Sequence, residues 1–272
     1  MGGWNGMVYD GKDTMLRVVR DEADQMFAML EAPQVWERST GAGFWQVRDI
    51  VGHLIDTTEE YFRGFDAARS STAMPEAYGL PGMAERVDRE AEALSRNLPR
   101  QELLDRLRAD YHKMMEIFDA LGPDDWGGLT VAHYYMGPLP AMFYPAFQLM
   151  DYGVHSWDIR QGTGRAHGLS GEAADLLVPY MFILWQATIA EKKLEPCEIG
   201  IRVTSGPNAG ETIVRVQPDG MTYEAGDTSG LESVLEFDPG SFVLAAFGRG
   251  NVGTIRGDRT IADRYLNLFF RI

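Results

Sequence analysis

Asp151 and His155 stand four residues apart in the stretch YPAFQLMDYGVHSW, residues 144–157. On a helix such residues are neighbours, about 5–6 Å apart at Cβ. From there a carboxylate and an imidazole can grip one divalent metal, with bonds of about 2.0–2.2 Å if it is zinc. His53, in WQVRDIVGHLI, is the best candidate for a third ligand. The metal-facing atoms of the three are expected within about 4 Å of one another, twice a typical ligand bond. Three protein ligands leave a position open, the pattern of a catalytic rather than a structural zinc site. Water, a substrate oxygen or a thiol can enter it. A thiol with an ordinary pKa near 8.5 becomes a thiolate on coordination, and the thiolate is the nucleophile. The chain's single cysteine, Cys197, falls in the expected interdomain linker, so the thiol would be a small cosubstrate. The plainer reading of an Asp and a His at this spacing is a solvated helix face that binds nothing.

These residues depend on helices to bring them together. Phe143, Phe147, Met150, Val154 and Trp157 form an apolar stripe at helical spacing, and Tyr144, Gln148, Asp151 and His155 run along its edge. Tyr144 could donate a hydrogen bond to substrate, and Gln148 could support Asp151 from behind. Val47, Ile50, Val51, Leu54, Ile55 and Phe62 mark a helix over 45–69, with His53 on its polar side together with Asp49, Asp56 and Glu60. Leu16 to Leu30 carry another stripe, ended by Pro33. A helical segment over 83–97 follows a Ser/Pro/Gly-rich loop, and a heptad series runs from Leu104 to Leu121, leaving His112 facing water. Stripes of this length hide their apolar faces most cheaply in a helical bundle. The Gly and Pro of GPDDWGGLTVAHYYMGPLP argue for an irregular, aromatic loop with His133 as a lesser ligand candidate.

Near residue 195 the period changes. Residues 198–204, 212–217 and 221–225 alternate between turn signals and read as antiparallel strands, with a fourth at 233–237. An apolar helix over 239–248, a strand-like VGTIRG and a helix over 260–270 complete an α+β unit. The expected domains are 1–194 and 195–272, joined by a linker at 191–197. The run LLVPYMFILW reads as a helix buried on several sides, against the second domain or a partner subunit, which leaves a homodimer open.

The chain has 272 residues, 45% hydrophobic and 24% charged, with 25 Lys and Arg against 40 Asp and Glu for a formal net charge of −15. Such acidity argues against nucleic acid and anionic membrane surfaces as partners. No apolar run reaches the ~20 residues of a membrane span. One cysteine allows no intrachain disulfide and fits a reducing cytosol. The N-terminal stretch carries no basic-then-apolar signal pattern. A cytoplasmic location is therefore expected.

Three segments resemble the mycothiol-dependent maleylpyruvate isomerase family, within the wider DinB-like metal-dependent bundles. GFWQVRDIVGHLI is similar to that family's Gly-Trp-Thr-Val-Arg-Asp-x-x-x-His-Leu helix, whose metal-binding histidine falls on His53. LMDYGVHSWDIRQGTGR resembles its Glu-x-x-x-His-x-Trp-Asp segment, placing the histidine on His155 and the acidic ligand on Asp151. Asp151 departs from the family's Glu by one methylene. FGRGNVGTIRGDRTIADRYLNLF resembles its sterol-carrier-like tail. The resemblance implies a four-helix-type bundle followed by a small sterol-carrier-like α+β domain. It further implies a divalent metal, zinc by preference, and mycothiol or a similar low-molecular-weight thiol as cosubstrate. The thiol would add to a conjugated double bond, then leave (isomerisation) or stay attached (transfer). Arg249 would pair with a substrate carboxylate, with Arg256 as rival. Two other readings stand beside this one. In the first, the tail binds an apolar or lipid-like ligand and there is no catalysis; in the second, a hydrolase or tailoring enzyme uses metal-activated water.

Overall fold

The computed structural model describes residues 2–73, 76–162, 164, 167–190, 194–250 and 253–270. The chain forms two compact units, residues 1–167 and 168–272.

The first unit holds α1 (Lys12–Leu30), α2 (Val47–Ser70), α3 (Leu80–Asn97), α4 (Arg100–Asp119), α5 (Pro123–Gly128) and α6 (Phe143–Gly162). Helix α1 packs on α6 and α2 on α4, and the two pairs meet as a four-helix bundle. Leu16, Val19, Ala23 and Met26 of α1, and Ile50, Val51, Leu54 and Ile55 of α2, are buried, as their spacing predicts. Asp49 sets where α2 begins. Its Oδ2 accepts from the Gln46 backbone N–H at 2.9 Å, and its Oδ1 from Ser95 Oγ of α3 at 2.6 Å. His53 follows one turn later.

Helix α3 lies along α2 at very close range. A Cβ on Gly52 would stand 2.5 Å from the Ala91 carbonyl oxygen. Beyond that contact Arg86 reaches back from α3, donating to both oxygens of Asp56 at 2.6 and 2.8 Å and to Glu60 Oε1 at 2.6 Å. Desolvation raises the Asp56 pKa, and the Arg86 hydrogen bonds and charge oppose it.

The segment after α4 is more regular than its composition suggests. Gly122 and Pro123 open α5, and the Gly122 N–H donates to Asp125 Oδ2. Trp126 anchors the turn, buried, with its indole N–H donating to the Gly6 carbonyl at 3.0 Å. Two short strands, β1 (Thr130–Val131) and β2 (Leu139–Pro140), then pair antiparallel and present residues 132–138 as a hairpin loop. The expected structureless loop is thus a capped turn and a hairpin: the Trp126 indole ties it to Gly6, and the Trp126 carbonyl accepts from the Met142 N–H beyond β2.

In the second unit α7 (Gly171–Ala187) precedes β3 (Cys197–Val203), β4 (Gly210–Gln217), β5 (Gly220–Ala225), β6 (Ser233–Phe237), α8 (Pro239–Ala246), β7 (Thr254–Gly257) and α9 (Arg259–Leu266). The sheet order is β5-β4-β3-β6-β7, antiparallel except for the parallel pair β3 and β6. The α+β character expected from the alternating segments is present. The contact boundary falls upstream of the 194/195 position suggested by the change of period, because α7 packs on α8. Trp185 of α7 sits 5.1 Å from the Phe242 ring and 5.3 Å from that of Tyr265. Asp175 of α7 accepts from the Asn208 backbone and side-chain N–H groups of the β3–β4 turn, each at 3.0 Å. Cys197, expected in the linker, is the first residue of β3 and pairs with Val216. Residues 191–193 of that linker lie outside the described residues. Among the described residues no helix is long and apolar enough to cross a membrane.

The Arg86 contact supports a stability prediction. Arg86→Met leaves Asp56 without its cation in a largely buried setting, while Glu60 keeps its pair with Arg63, a loss of about 3–5 kcal/mol. Urea unfolding should show it, and adding Asp56→Asn should recover part of it. An Arg86→Met midpoint equal to wild type would contradict this account.

Candidate metal centre

The fold brings His53 of α2 to Asp151 and His155 of α6. One ligand atom from each lies within 4.8 Å of the others. His53 Nε2 faces Asp151 Oδ1 at 3.8 Å, with both side chains largely buried at 11% and 15% exposure. Donors of a tetrahedral zinc site stand roughly 3.4 Å apart. The first pair is near that value, and the widest separation exceeds the expected span of about 4 Å.

The remaining polar atoms of the trio favour a cation between them. Asp151 Oδ2 is buried and has no hydrogen-bond partner among the described residues. A carboxylate oxygen so placed costs about 1–3 kcal/mol or more unless a donor or cation meets it. The outer nitrogens of both imidazoles are already engaged. His155 Nδ1 lies 2.9 Å from Asp158 Oδ2, which is fully buried, and His53 Nδ1 lies 3.3 Å from Thr57 Oγ1. A carboxylate behind a ligand histidine fixes the ring's tautomer and orientation and raises its basicity. The residues therefore fit a divalent metal.

One wall of the site comes from the chain entering α2. The Gly41 N–H donates to the Asp158 carbonyl at 2.9 Å, tying this segment to α6. Trp45 then lays its ring 5.0 Å from that of His53 and 6.1 Å from that of His155, with its Nε1–H donating to Asp88 at 3.0 Å. Neighbouring Phe44 is 81% exposed.

Other sequence candidates are placed differently. The Tyr144 hydroxyl is buried and shared between the carbonyls of Ala132 at 2.6 Å and Val131 at 3.0 Å, so its proton holds the hairpin. Gln148, expected behind Asp151, instead donates to Thr58 Oγ1 at 3.2 Å. His133 stands outside the trio, packed 4.8 Å from the rings of both Tyr134 and Phe147. His112 is exposed, as expected. Arg249 lies in the second unit, donating to the Phe247 carbonyl at 3.1 Å, and Arg256 of β7 pairs with Glu236 at 2.5 Å. Sequence reading assigned no role to Asp158, Thr57 or Trp45. Asp158 was within reach, since its position three residues after His155 puts both on one helix face.

A helical bundle carrying two histidines and a carboxylate, followed by an α+β unit, defines the class. The particular family follows from sequence. A family model described as "Mycothiol maleylpyruvate isomerase N-terminal domain" matches residues 16–160, and the chain belongs to that family. No curated protein sequence matches the chain. Among solved structures, the crystal structure of the mycothiol-dependent maleylpyruvate isomerase is similar in fold. It has a TM-score of 0.61 at 13% identity, over 90% of this chain and 92% of that one. A mutant of that enzyme aligns equally well. The colibactin self-resistance protein ClbS, in complex with a dsDNA, aligns at a TM-score of 0.47 and 14% identity over 57% of this chain and 97% of its own.

Two predictions follow from this geometry. Asp158→Asn should weaken divalent-metal binding about 10–100-fold while the fold persists, as chelator competition and circular dichroism would show. Undiminished affinity would remove Asp158 from the site. Burial lowers the His133 pKa to about 3. The unfolded chain takes up a proton near pH 6.5 that the folded chain refuses, so the stabilisation is complete above pH 6.5 and is lost as pH falls towards 3. The slope approaches ~1.4 kcal/mol per pH unit. Urea midpoints of wild type should therefore fall more steeply than those of His133→Phe between pH 7 and 5, and parallel curves would refute the assignment.

Proposed function

We propose that the protein is a divalent-metal-dependent enzyme that activates a low-molecular-weight thiol of the mycothiol type. Its reaction is isomerisation of a small unsaturated electrophile, or transfer of the thiol to it. The observation that carries this reading is the unsatisfied Asp151 Oδ2 beside two imidazoles whose outer nitrogens are already occupied. Membership of the family of the mycothiol maleylpyruvate isomerase N-terminal domain supplies the thiol. Zinc is the metal we favour, on the two-imidazole, one-carboxylate donor set.

His53, Asp151 and His155 would hold the metal. When bound, it would supply the Lewis acidity that turns a thiol into its nucleophilic thiolate near neutral pH. The chain's own residues do the rest. Asp158 and Thr57 orient the two imidazoles. Trp45 offers an apolar face beside both rings, which limits water at the site and gives a conjugated substrate a surface to lie on. Cys197, at the start of a strand in the second unit, leaves the nucleophile to an incoming thiol.

The protein purified without a histidine tag should carry stoichiometric divalent metal and lose it in His155→Ala. Turnover of an unsaturated electrophile such as maleylpyruvate should require both metal and thiol. Metal-dependent turnover without any thiol would replace this reading with a water-activating enzyme. Metal-free protein that neither binds zinc nor turns over would replace it with a non-catalytic binder.

A further inference from the structure

Thr57 and Tyr134 lie outside the trio and yet connect to it. Thr57 follows His53 by one turn of α2 and is buried. Its Oγ1 is 3.3 Å from His53 Nδ1 and 3.4 Å from the Tyr134 hydroxyl. Tyr134 sits on the hairpin between β1 and β2. The Arg86 guanidinium lies 5.7 Å from its ring centre, and its carbonyl accepts from the Tyr78 N–H. The chain of contacts thus runs from a ligand histidine, through α2, to a loop held by α3.

Proton counting fixes the His53 end of this chain. His53 Nε2 is the atom that faces Asp151. A ring nitrogen ligates with its lone pair, so the proton of the neutral imidazole must be on Nδ1. Nδ1–H then donates to Thr57 Oγ1, a hydroxyl with two acceptor lone pairs and one proton of its own. The same Oγ1 lies 3.4 Å from the Tyr134 hydroxyl, where either oxygen can donate, and the tyrosine keeps its own O–H, since burial pushes its phenol well above the usual range.

We propose that Thr57 and Tyr134 are positioning residues that hold His53 in its Nδ1–H form and so select Nε2 as the ligating atom. The inference rests on the metal reading above. It deepens that reading by making the hairpin part of the ligand's support. A half-turn of the imidazole would exchange Nδ1 for a carbon and leave Thr57 without this partner.

The test compares wild type with Thr57→Val, Thr57→Ser and Tyr134→Phe, using two readouts. Long-range proton–nitrogen NMR of the apoprotein reads the His53 tautomer, and chelator competition reads zinc affinity. Wild type should show Nδ1–H. Thr57→Val, which keeps the shape and removes the hydroxyl, should lose that preference and bind zinc about 10–100-fold more weakly. Thr57→Ser should restore both. Tyr134→Phe removes one hydroxyl from a half-buried ring and should also weaken zinc binding, so the proposal stays open to refutation if Thr57→Val fails to fold. A wild-type Nε2–H tautomer, or unchanged zinc affinity in a folded Thr57→Val or in Tyr134→Phe, overturns it. Wild type that binds no zinc overturns the metal reading and this inference with it. Wild type that binds stoichiometric zinc, alongside an indifferent Thr57→Val, overturns this inference alone.

Discussion

A carboxylate with one oxygen left unsatisfied between two imidazoles is the interaction on which the first unit turns. Asp151 has little access to water, and its Oδ2 lacks a donor among the described residues. Folding alone gains nothing from this arrangement, since an unpaired buried carboxylate oxygen is costly and a hydrophobic residue would pack there at no such cost. The bundle accepts the cost because its stability lies elsewhere, in the buried stripes of α1, α2, α4 and α6. A cation between the three side chains would turn the strained point into an attractive one.

The surroundings keep the three donors aimed at one another. Asp49 fixes the start of α2 and therefore the turn on which His53 stands. Gly52 lets α3 come close enough for Arg86 to reach Asp56 and Glu60, which stiffens the same helix beyond the histidine. On α6, Asp158 holds His155 from behind while its own carbonyl receives the segment that carries Trp45. These contacts bear on the two helices that carry the donors, so no single loop has to be rigid for the geometry to persist.

Much of this was legible in the sequence because it depends on period. Helical spacing gave the stripes, and the four-residue interval joined Asp151 to His155. The place of His53 off its own helix's stripe marked it as facing a cleft or solvent. What stayed hidden depends on particular long-range contacts. The bond from Trp126 to Gly6 anchors the Gly-rich stretch, yet nothing local signals a partner 120 residues away. Tyr144 shares the ligand row, but its hydroxyl serves the hairpin carbonyls, a choice set by packing and not by spacing. The apolar run of α7 showed that the helix is buried without showing against what, so the change of period near 195 concealed the earlier contact boundary.

The short carboxylate at Asp151 bears on how the trio is drawn together. An aspartate holds its carboxylate one methylene nearer its own helix than a glutamate would, so an ion shared by the trio would sit closer to α6. His53 comes from α2 to within 3.8 Å of Asp151 Oδ1. An imidazole keeps its aim when its outer nitrogen has a firm partner. Thr57, on the same helix and one turn away, moves with His53 when α2 moves. Asp158 has the same relation to His155 on α6. Both imidazoles are therefore steadied from within their own helix, and only the approach of α2 to α6 has to adapt to the shorter carboxylate.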